Sequence, residues 1–248
     1  MRLQDKTAIV TGGASGFGAG IVRKFAAEGA RVMIADINEA AAAALADEIG
    51  DRALAQSVNV ANRESVQAMA AAALERFGHL DILINNAGIT HLPTPLEEVS
   101  EDDFDRVFQV NMKSVYLTAH ALVPHMKARG QGAILNIAST AGVSPRPRLN
   151  WYNASKGWMI TATRTMAIEL APAGVRVNAL NPVAGETPLL KSFMGEDTPE
   201  MRAKFLATIP LGRFSQPEDM GNAACFLCSD EASMITGVAL EVDGGRCI

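Results

Sequence analysis

The 248-residue sequence predicts an α/β fold: a single doubly wound parallel sheet of seven strands with helices on both faces. Three observations carry that prediction. Short β-branched runs alternate with helical windows of ten or more residues, and strands joined by such helices need right-handed crossovers and therefore parallel pairing. A glycine-rich turn separates the first run from the first helical window. No linker divides the chain, so residues 1–248 are expected to form a single domain.

The first unit is the most informative. Lys6-Thr-Ala-Ile-Val10 is too short for a helix and reads as a buried strand, entering the turn Thr11-Gly-Gly-Ala-Ser-Gly-Phe-Gly18. Ile21, Val22 and Phe25 recur at helical spacing, Gly29 stops that helix, and Ala30 to Ala35 forms a second strand ending in Asp36. This is a Rossmann-type βαβ unit. Glycines let backbone approach a pyrophosphate, the helix start offers unpaired N–H groups, and an acid about 20 residues on can hold a ribose hydroxyl. The spacing Gly12-x-x-x-Gly16-x-Gly18 departs from the general G-x-G-x-x-G fingerprint, and a tight corner with no ligand is the bland alternative.

The alternation then continues. Asn38 caps an alanine-rich helix to Ile49, Ala53 to Val58 is a strand, Asn62 caps a helix to Phe77, and Asp81 to Asn85 is a strand. Ser100-Glu-Asp-Asp103 opens a long helix towards Lys127, expected to break or bend near Pro124. Gly132 to Ala138 is the fifth strand, Asn150 to Leu170 a second long helix, and Gly174 to Leu180 the sixth strand. Residues 183–209 hold Gly185, Pro188, Gly195 and Pro199 and read as irregular; a loop that long suggests a substrate lid, about 184–209. A helix from Pro217 to Cys228 and a strand from Gly237 to Val242 complete the pattern.

Net charge is −5 and no basic run exceeds Pro145-Arg-Pro-Arg148, which argues against nucleic acid and anionic membrane as partners. Charges among the first seven residues stand where a secretion signal needs an apolar core, and no run approaches a membrane span, so a cytoplasmic protein is expected. Cys225-Phe-Leu-Cys228 has metal-like spacing, yet no second Cys/His pair accompanies it, and helix packing is the better reading. No metal is expected.

Tyr152-Asn-Ala-Ser-Lys156 places a phenol and an ammonium on one face of a helix turn. A free phenol is a poor base at neutral pH; a neighbouring cation favours the phenolate, and a drop of ~2 in pKa takes ~2.7 kcal/mol. Ser139 follows the fifth strand, where open α/β sheets place their ligands, and its hydroxyl can hold a substrate oxygen. Asn111, flanked by Val107, Val110 and Val115, is an amide that needs a partner: backbone, or a water in a proton path.

Thr11-Gly-Gly-Ala-Ser-Gly-Phe-Gly18, Asn85-Asn-Ala-Gly88, Asn111, Ser139, Tyr152-x-x-x-Lys156 and Asn181-Pro182 with Thr187 together resemble the short-chain dehydrogenase/reductase family along the whole chain. The resemblance implies Tyr152 as general acid/base, Lys156 lowering its pKa and holding a nicotinamide ribose, Ser139 positioning the substrate oxygen, and Asn111 supporting a water-linked relay. It also implies that Gly12, Ser15, Gly16, Phe17 and Gly18 meet pyrophosphate and adenosine ribose, with Asn85, Ala87 and Gly88 along the cofactor channel. Pro182, Val183 and Thr187 would meet the carboxamide. Two positions depart from the pattern: Asn59 before Val60 stands where an acid is usual, and Pro182-Val183 replaces a frequent Pro-Gly.

Asp36 accepts ribose hydroxyls but repels a 2′-phosphate, and Ala14, Ser15 and Ile37 offer no base, so NAD is expected over NADP. The substrate pocket is expected around His91, Leu92, Val143, Pro145 to Leu149 with Arg146 and Arg148, Trp151, Gly185, Glu186 and Leu189 to Met194. An aryl or polar secondary alcohol is the expected small-molecule substrate. The two arginines pair with an acidic substrate group or are merely solvated. Rival readings are NADPH-dependent 3-oxoacyl-carrier-protein reduction, a glucose-type sugar dehydrogenase, and a non-catalytic dinucleotide sensor. The resemblance further implies a homotetramer built through the two long helices and last strand, with the tail Arg246-Cys-Ile248 approaching a neighbouring site.

Overall fold

Strand β1 (Thr7–Thr11) pairs in parallel with both β2 (Arg31–Asp36) and β4 (Ile82–Asn85), and that double pairing sets the architecture. The computed structural model describes residues 1–248. With β3 (Ala53–Ser57), β5 (Gly132–Ile137), β6 (Val175–Pro182) and β7 (Ala239–Val242) it forms one seven-stranded parallel sheet in the order 3-2-1-4-5-6-7. The order reverses between β1 and β4, which opens a crevice at the carboxyl ends of the strands.

Both faces of the sheet are buried, so its central strands read as unbroken apolar runs instead of alternating ones. Alternation still decides which core each residue joins. Ala8 and Val10 face the core made with helices α1 (Gly16–Ala27), α2 (Glu39–Ile49) and α9 (Pro217–Cys228), against Phe25, Leu45 and Met220. Ile9 faces the opposite core with α3 (Arg63–Phe77), against Met69 and Phe77. The expected caps form: Asn38 accepts from the Ala41 N–H at 3.1 Å and Asn62 from the Ser65 N–H at 2.7 Å. Cys225 and Cys228 are free and buried in α9, where burial pushes the Cys228 thiol up to about 12, so they pack as small apolar residues. No helix is long and apolar enough to cross a membrane.

The long helix departs from expectation. It is not broken at Pro124, which lies within the continuous α5 (Ser114–Arg129); the interruption falls earlier, between α4 (Glu101–Phe108) and α5, as a wide π turn over Gln109–Lys113. The Ser114 hydroxyl donates to the Val110 carbonyl at 2.6 Å across this turn. Pro124 removes one donor, and the rest of α5 continues around it.

Residues 183–209 are more ordered than their glycines and prolines suggest. They hold α7 (Leu190–Met194) and α8 (Pro199–Leu206), the latter capped by Thr198, which accepts from the Met201 N–H. Val183, Leu190, Met194, Ile209 and Phe214 give this excursion a small core of its own. Its ends meet in a bridge between Gly185 and Ser215, with the Glu186 N–H on the Ser215 carbonyl at 2.9 Å and the Ser215 N–H on the Ala184 carbonyl at 3.1 Å.

Candidate active site

A cavity of about 490 Å³ occupies the crevice at the strand ends and runs from the glycine turn to the lid. Gly12, Ser15, Gly16, Phe17 and Asp36 line one end, with Asn59 and Val60 beside them. Ala87 and Gly88 line the middle with Tyr152 and Lys156; Pro182, Val183 and Thr187 close the opposite wall. Asp36 is fixed at the rim because its two carboxylate oxygens accept from the Ala14 N–H (3.0 Å) and the Asn38 N–H (2.9 Å). Asn59 spends its side-chain oxygen on the Ala61 N–H at 3.0 Å.

Two residues expected on this wall lie behind it. A Cβ on Gly18 would stand 2.1 Å from the Gly12 carbonyl oxygen, so Gly18 serves the packing of helix against turn. Asn85 is buried: its amide donates to Asn136 at 2.8 Å, its oxygen accepts from Thr118 at 2.8 Å, and Asn136 donates onward to Thr163 at 2.9 Å. Its neighbour Asn86 lines the cavity instead, donating to the Thr11 and Gly12 carbonyls at 2.9 and 2.8 Å and tying the two turns together. The run Asn85-Asn86 carried the signal; strand alternation inverts the two side chains.

Helix α6 (Asn150–Leu170) brings Tyr152 and Lys156 into the middle of the cavity, opposite Ser139. Tyr152 is 5% and Lys156 4% exposed. Lys156 Nζ donates to the Ile137 carbonyl at 2.9 Å and lies 5.8 Å from the centre of the Tyr152 ring. Burial pushes the Tyr152 phenol up to about 12, opposed by the Ser139 hydroxyl, and brings Lys156 down to about 8. Desolvation is the largest influence on the phenol, and the ammonium expected to lower it stands 5.8 Å from the ring centre. Ser139 Oγ accepts from the Ala141 N–H at 3.0 Å, which fixes the rotamer and leaves its O–H to point elsewhere.

Asn111 is fully buried in the π turn. Its amide donates to the Ile89 carbonyl (2.9 Å) and Ser155 Oγ (3.0 Å), and its oxygen accepts from the Ile89 N–H (2.9 Å). Backbone is therefore its main partner. Both N–H groups are committed, so the side chain holds the turn after β4 against α6.

The substrate end differs most from expectation. Of the five charged and aromatic residues expected there, Arg146 lines the cavity. Trp151 is one residue, hence about 100° of helix, from Tyr152, and it turns outward to meet Phe104 edge-on at 5.3 Å. Glu186 does not line the cavity and pairs with Arg202 at 2.9 Å. Arg148 is exposed, at φ +69°, and His91 is buried with Nδ1 2.8 Å from the Leu92 carbonyl. The apolar wall comes from Leu149, Leu189, Phe193 and Phe205. Phe193 meets the Tyr152 ring at 5.0 Å. Phe205, Ser144 and Asn153 had no local signal, because each reaches the cavity only through the tertiary fold.

Residues 12–246 match a family model described as enoyl-(acyl carrier protein) reductase, one of the models of the short-chain dehydrogenases and reductases. The chain belongs to the short-chain dehydrogenase/reductase family. This family member is an oxidoreductase. It is 50% identical to 4-formylbenzenesulfonate dehydrogenase of Comamonas testosteroni, over all of both chains. It is 38% identical to cis-4-hydroxycyclohexanecarboxylate dehydrogenase of Sinomonas cyclohexanicum, over 97% of this chain and 96% of that one. The crystal structure of a 3-ketoacyl-(acyl-carrier-protein) reductase from Brucella melitensis complexed with NADH superposes with a TM-score of 0.95 at 52% identity, covering 99% of this chain and 100% of that one.

Proposed function

We propose that this short-chain dehydrogenase/reductase moves a hydride between NAD(H) and a ring-bearing alcohol/carbonyl pair. One observation carries the reading: a single cavity joins the glycine turn and Asp36 at one end to Ser139, Tyr152 and Lys156 in the middle and to an aromatic lid at the other. The cradle fits a dinucleotide. A Cβ on Gly12 would stand 2.9 Å from Ala87 Cα, and one on Gly88 would stand 3.3 Å from Lys156 Nζ, so side chains there would fill the channel. The family relative with NADH supports the same cofactor.

Gly12, Ser15, Gly16 and Phe17 would hold the pyrophosphate, Asp36 the adenosine ribose, and Lys156 the nicotinamide ribose, with Ala87, Gly88, Val183 and Thr187 along the channel. When bound, the nicotinamide accepts a hydride from an alcohol carbon or returns one to a carbonyl. Ser139, whose hydroxyl faces the Tyr152 phenol, would hold the substrate oxygen by its O–H. Tyr152 takes the hydroxyl proton on Oη during oxidation and gives it back during reduction. Lys156, held by its bond to the Ile137 carbonyl, stabilises the phenolate through space.

Asp36 at the rim, with no basic residue at Ala14, Ser15 or Ile37, favours NAD over NADP. Substrate choice follows from the lid: Phe193 and Phe205 offer ring faces beside Tyr152, and two relatives are named for ring compounds. The name of the Brucella structure favours a second reading, 3-oxoacyl reduction. A substrate panel tests both. NADH formation from benzylic and cyclohexyl alcohols, absent with sugars, is the expected result; faster NADPH-dependent reduction of a 3-oxoacyl thioester would overturn it. Because oxidation needs phenolate, kcat/KM for the alcohol should rise about tenfold per pH unit between 6 and 8, while reduction stays flat there.

Phe108 and Tyr116 on α4 and α5, with Trp158 and Ile168 on α6, are exposed and fit helix-to-helix assembly into a homotetramer. Light scattering should give four copies; a monomer would sink that assignment.

A further inference from the structure

The substrate end holds two guanidinium groups with no acid between them. Arg146 lines the cavity, and its Nη2 donates to Thr208 Oγ1 at 2.8 Å while its plane lies 4.2 Å over the Phe205 ring. Thr208 in turn donates to the Phe205 carbonyl at 2.7 Å, so this bond fixes the arginine without neutralising it. Arg246, from the C-terminal tail of the same chain, donates from Nη1 to Ser144 Oγ at 3.1 Å. Its Nε is buried with no partner. The tail thus reaches the cavity wall of its own chain at Ser144.

Neither arginine takes part in any ion pair of the chain. Asp243, the acid closest in sequence to Arg246, is committed to the Gly245 and Cys247 N–H groups at 2.9 and 2.8 Å. Burial pushes the Arg146 guanidinium down, and Arg246 adds to the shift, as two cations sharing a dry wall require. Ser144 lines the cavity as well. With its oxygen accepting from Arg246 and its hydrogen given to no protein atom, its O–H is polarised and free to donate inward. Half-buried cations without a counter-charge are costly, and an arriving anion removes that cost.

We propose that Arg146 and Ser144, backed by Arg246, form an anion subsite that selects ring alcohols and aldehydes carrying a carboxylate or sulfonate remote from the reacting carbon. This rests on the ring-alcohol reading of the site and names the substrate class within it. Arg146 would touch the anion directly. Arg246 is a positioning residue that orients Ser144.

The test uses three alcohols with NAD⁺: 4-(hydroxymethyl)benzoate, 4-(hydroxymethyl)benzenesulfonate and neutral 4-methylbenzyl alcohol. The native enzyme should prefer the anionic pair by at least ~20-fold in kcat/KM, as a charge-assisted contact supplies. Arg146→Met and Arg146→Gln should each collapse that ratio at least ~10-fold, Arg146→Lys should restore part of it, and Arg246→Met should lower it ~3-fold. The relative size of the two anionic rates tells carboxylate from sulfonate. A native ratio near one, or equal losses on all three alcohols in Arg146→Gln, would overturn the subsite.

Calorimetry of the enzyme–NADH complex with 4-methylbenzoate, 4-methylbenzenesulfonate and 4-methylbenzamide separates the two readings. Anion binding that is lost in Arg146→Gln, in a protein turning over no ring alcohol, would sink the ring-alcohol reading and keep the subsite. Binding of the amide alone, or of none of the three, overturns the subsite even where ring alcohols react.

Discussion

The two ends of the cavity are made of different material. At the glycine turn the walls are mostly backbone and small residues, held by contacts so close that a single added carbon collides with the next chain segment. At the lid the walls are side chains, and what fixes them comes from far along the sequence: Arg146 on Thr208, Arg246 on Ser144, Phe205 under Arg146. The first construction fits one ligand shape and tolerates little change. The second fixes a ligand by chemistry that point substitutions can rewrite, which suits a family whose members keep the cofactor and exchange the substrate.

Tyr152 stands where the two ends meet, and its removal tests the comparison most severely. Tyr152→Phe should lower kcat by ~10³-fold while NADH still binds, since only the proton transfer is lost. Stopped-flow binding beside steady-state rates would show it, and a parallel loss of cofactor affinity would mean that the ends are not separable. Asp36→Ala comes next, shifting the NAD/NADP ratio of kcat/KM by ~30-fold towards NADP; an unchanged ratio would sink the cofactor assignment. Phe193→Ala should raise KM for the substrate ~10-fold with the cofactor Kd within twofold. If cofactor binding weakens equally, the lid supports both ends and the contrast fails.

The smallest effect is on stability. Lys156 has its folded pKa near 8, below the ordinary 10.5, so the native state bears the cost of a buried ammonium at pH values below about 8. That cost fades as pH rises and is gone above the unfolded pKa. A difference of that size corresponds to ~3 kcal/mol, offset by the ~2 kcal/mol of orphaning the Ile137 carbonyl in a Lys156→Met variant. Lys156→Met should therefore raise Tm by ~2–4 °C at pH 7, with the gain shrinking by pH 10 in calorimetry. A lower Tm would place the charge among the stabilising groups.

The same contrast decides what could be read in the sequence. Helix α6 is found at Asn150–Leu170 as its periodicity predicts, and the caps at Asn38 and Asn62 form, because the signals are local. Most residues expected at the glycine-turn end line the cavity for the same reason, with Asn85 and Gly18 displaced by one layer of packing. The π turn was not legible: one extra residue in a helical ladder leaves the apolar period nearly intact, while the visible breaker, Pro124, attracted the expected bend. Trp151 and Glu186 looked like pocket residues by neighbourhood in sequence, yet helix geometry turns one away and the other pairs with Arg202. Nothing local could bring Arg246 to Ser144.

The bridge between Gly185 and Ser215 closes the lid segment upon itself before the chain returns to α9. Whatever lies between those two residues is a bead on a ring already tied. Lengthening such a ring costs little, about 0.6 kcal/mol for each doubling, and none of that reaches the sheet register. A change of length between those two residues is thus taken up within the ring, while the contacts of Phe193, Phe205 and Thr208 with Tyr152 and Arg146 are what a replacement segment has to reproduce.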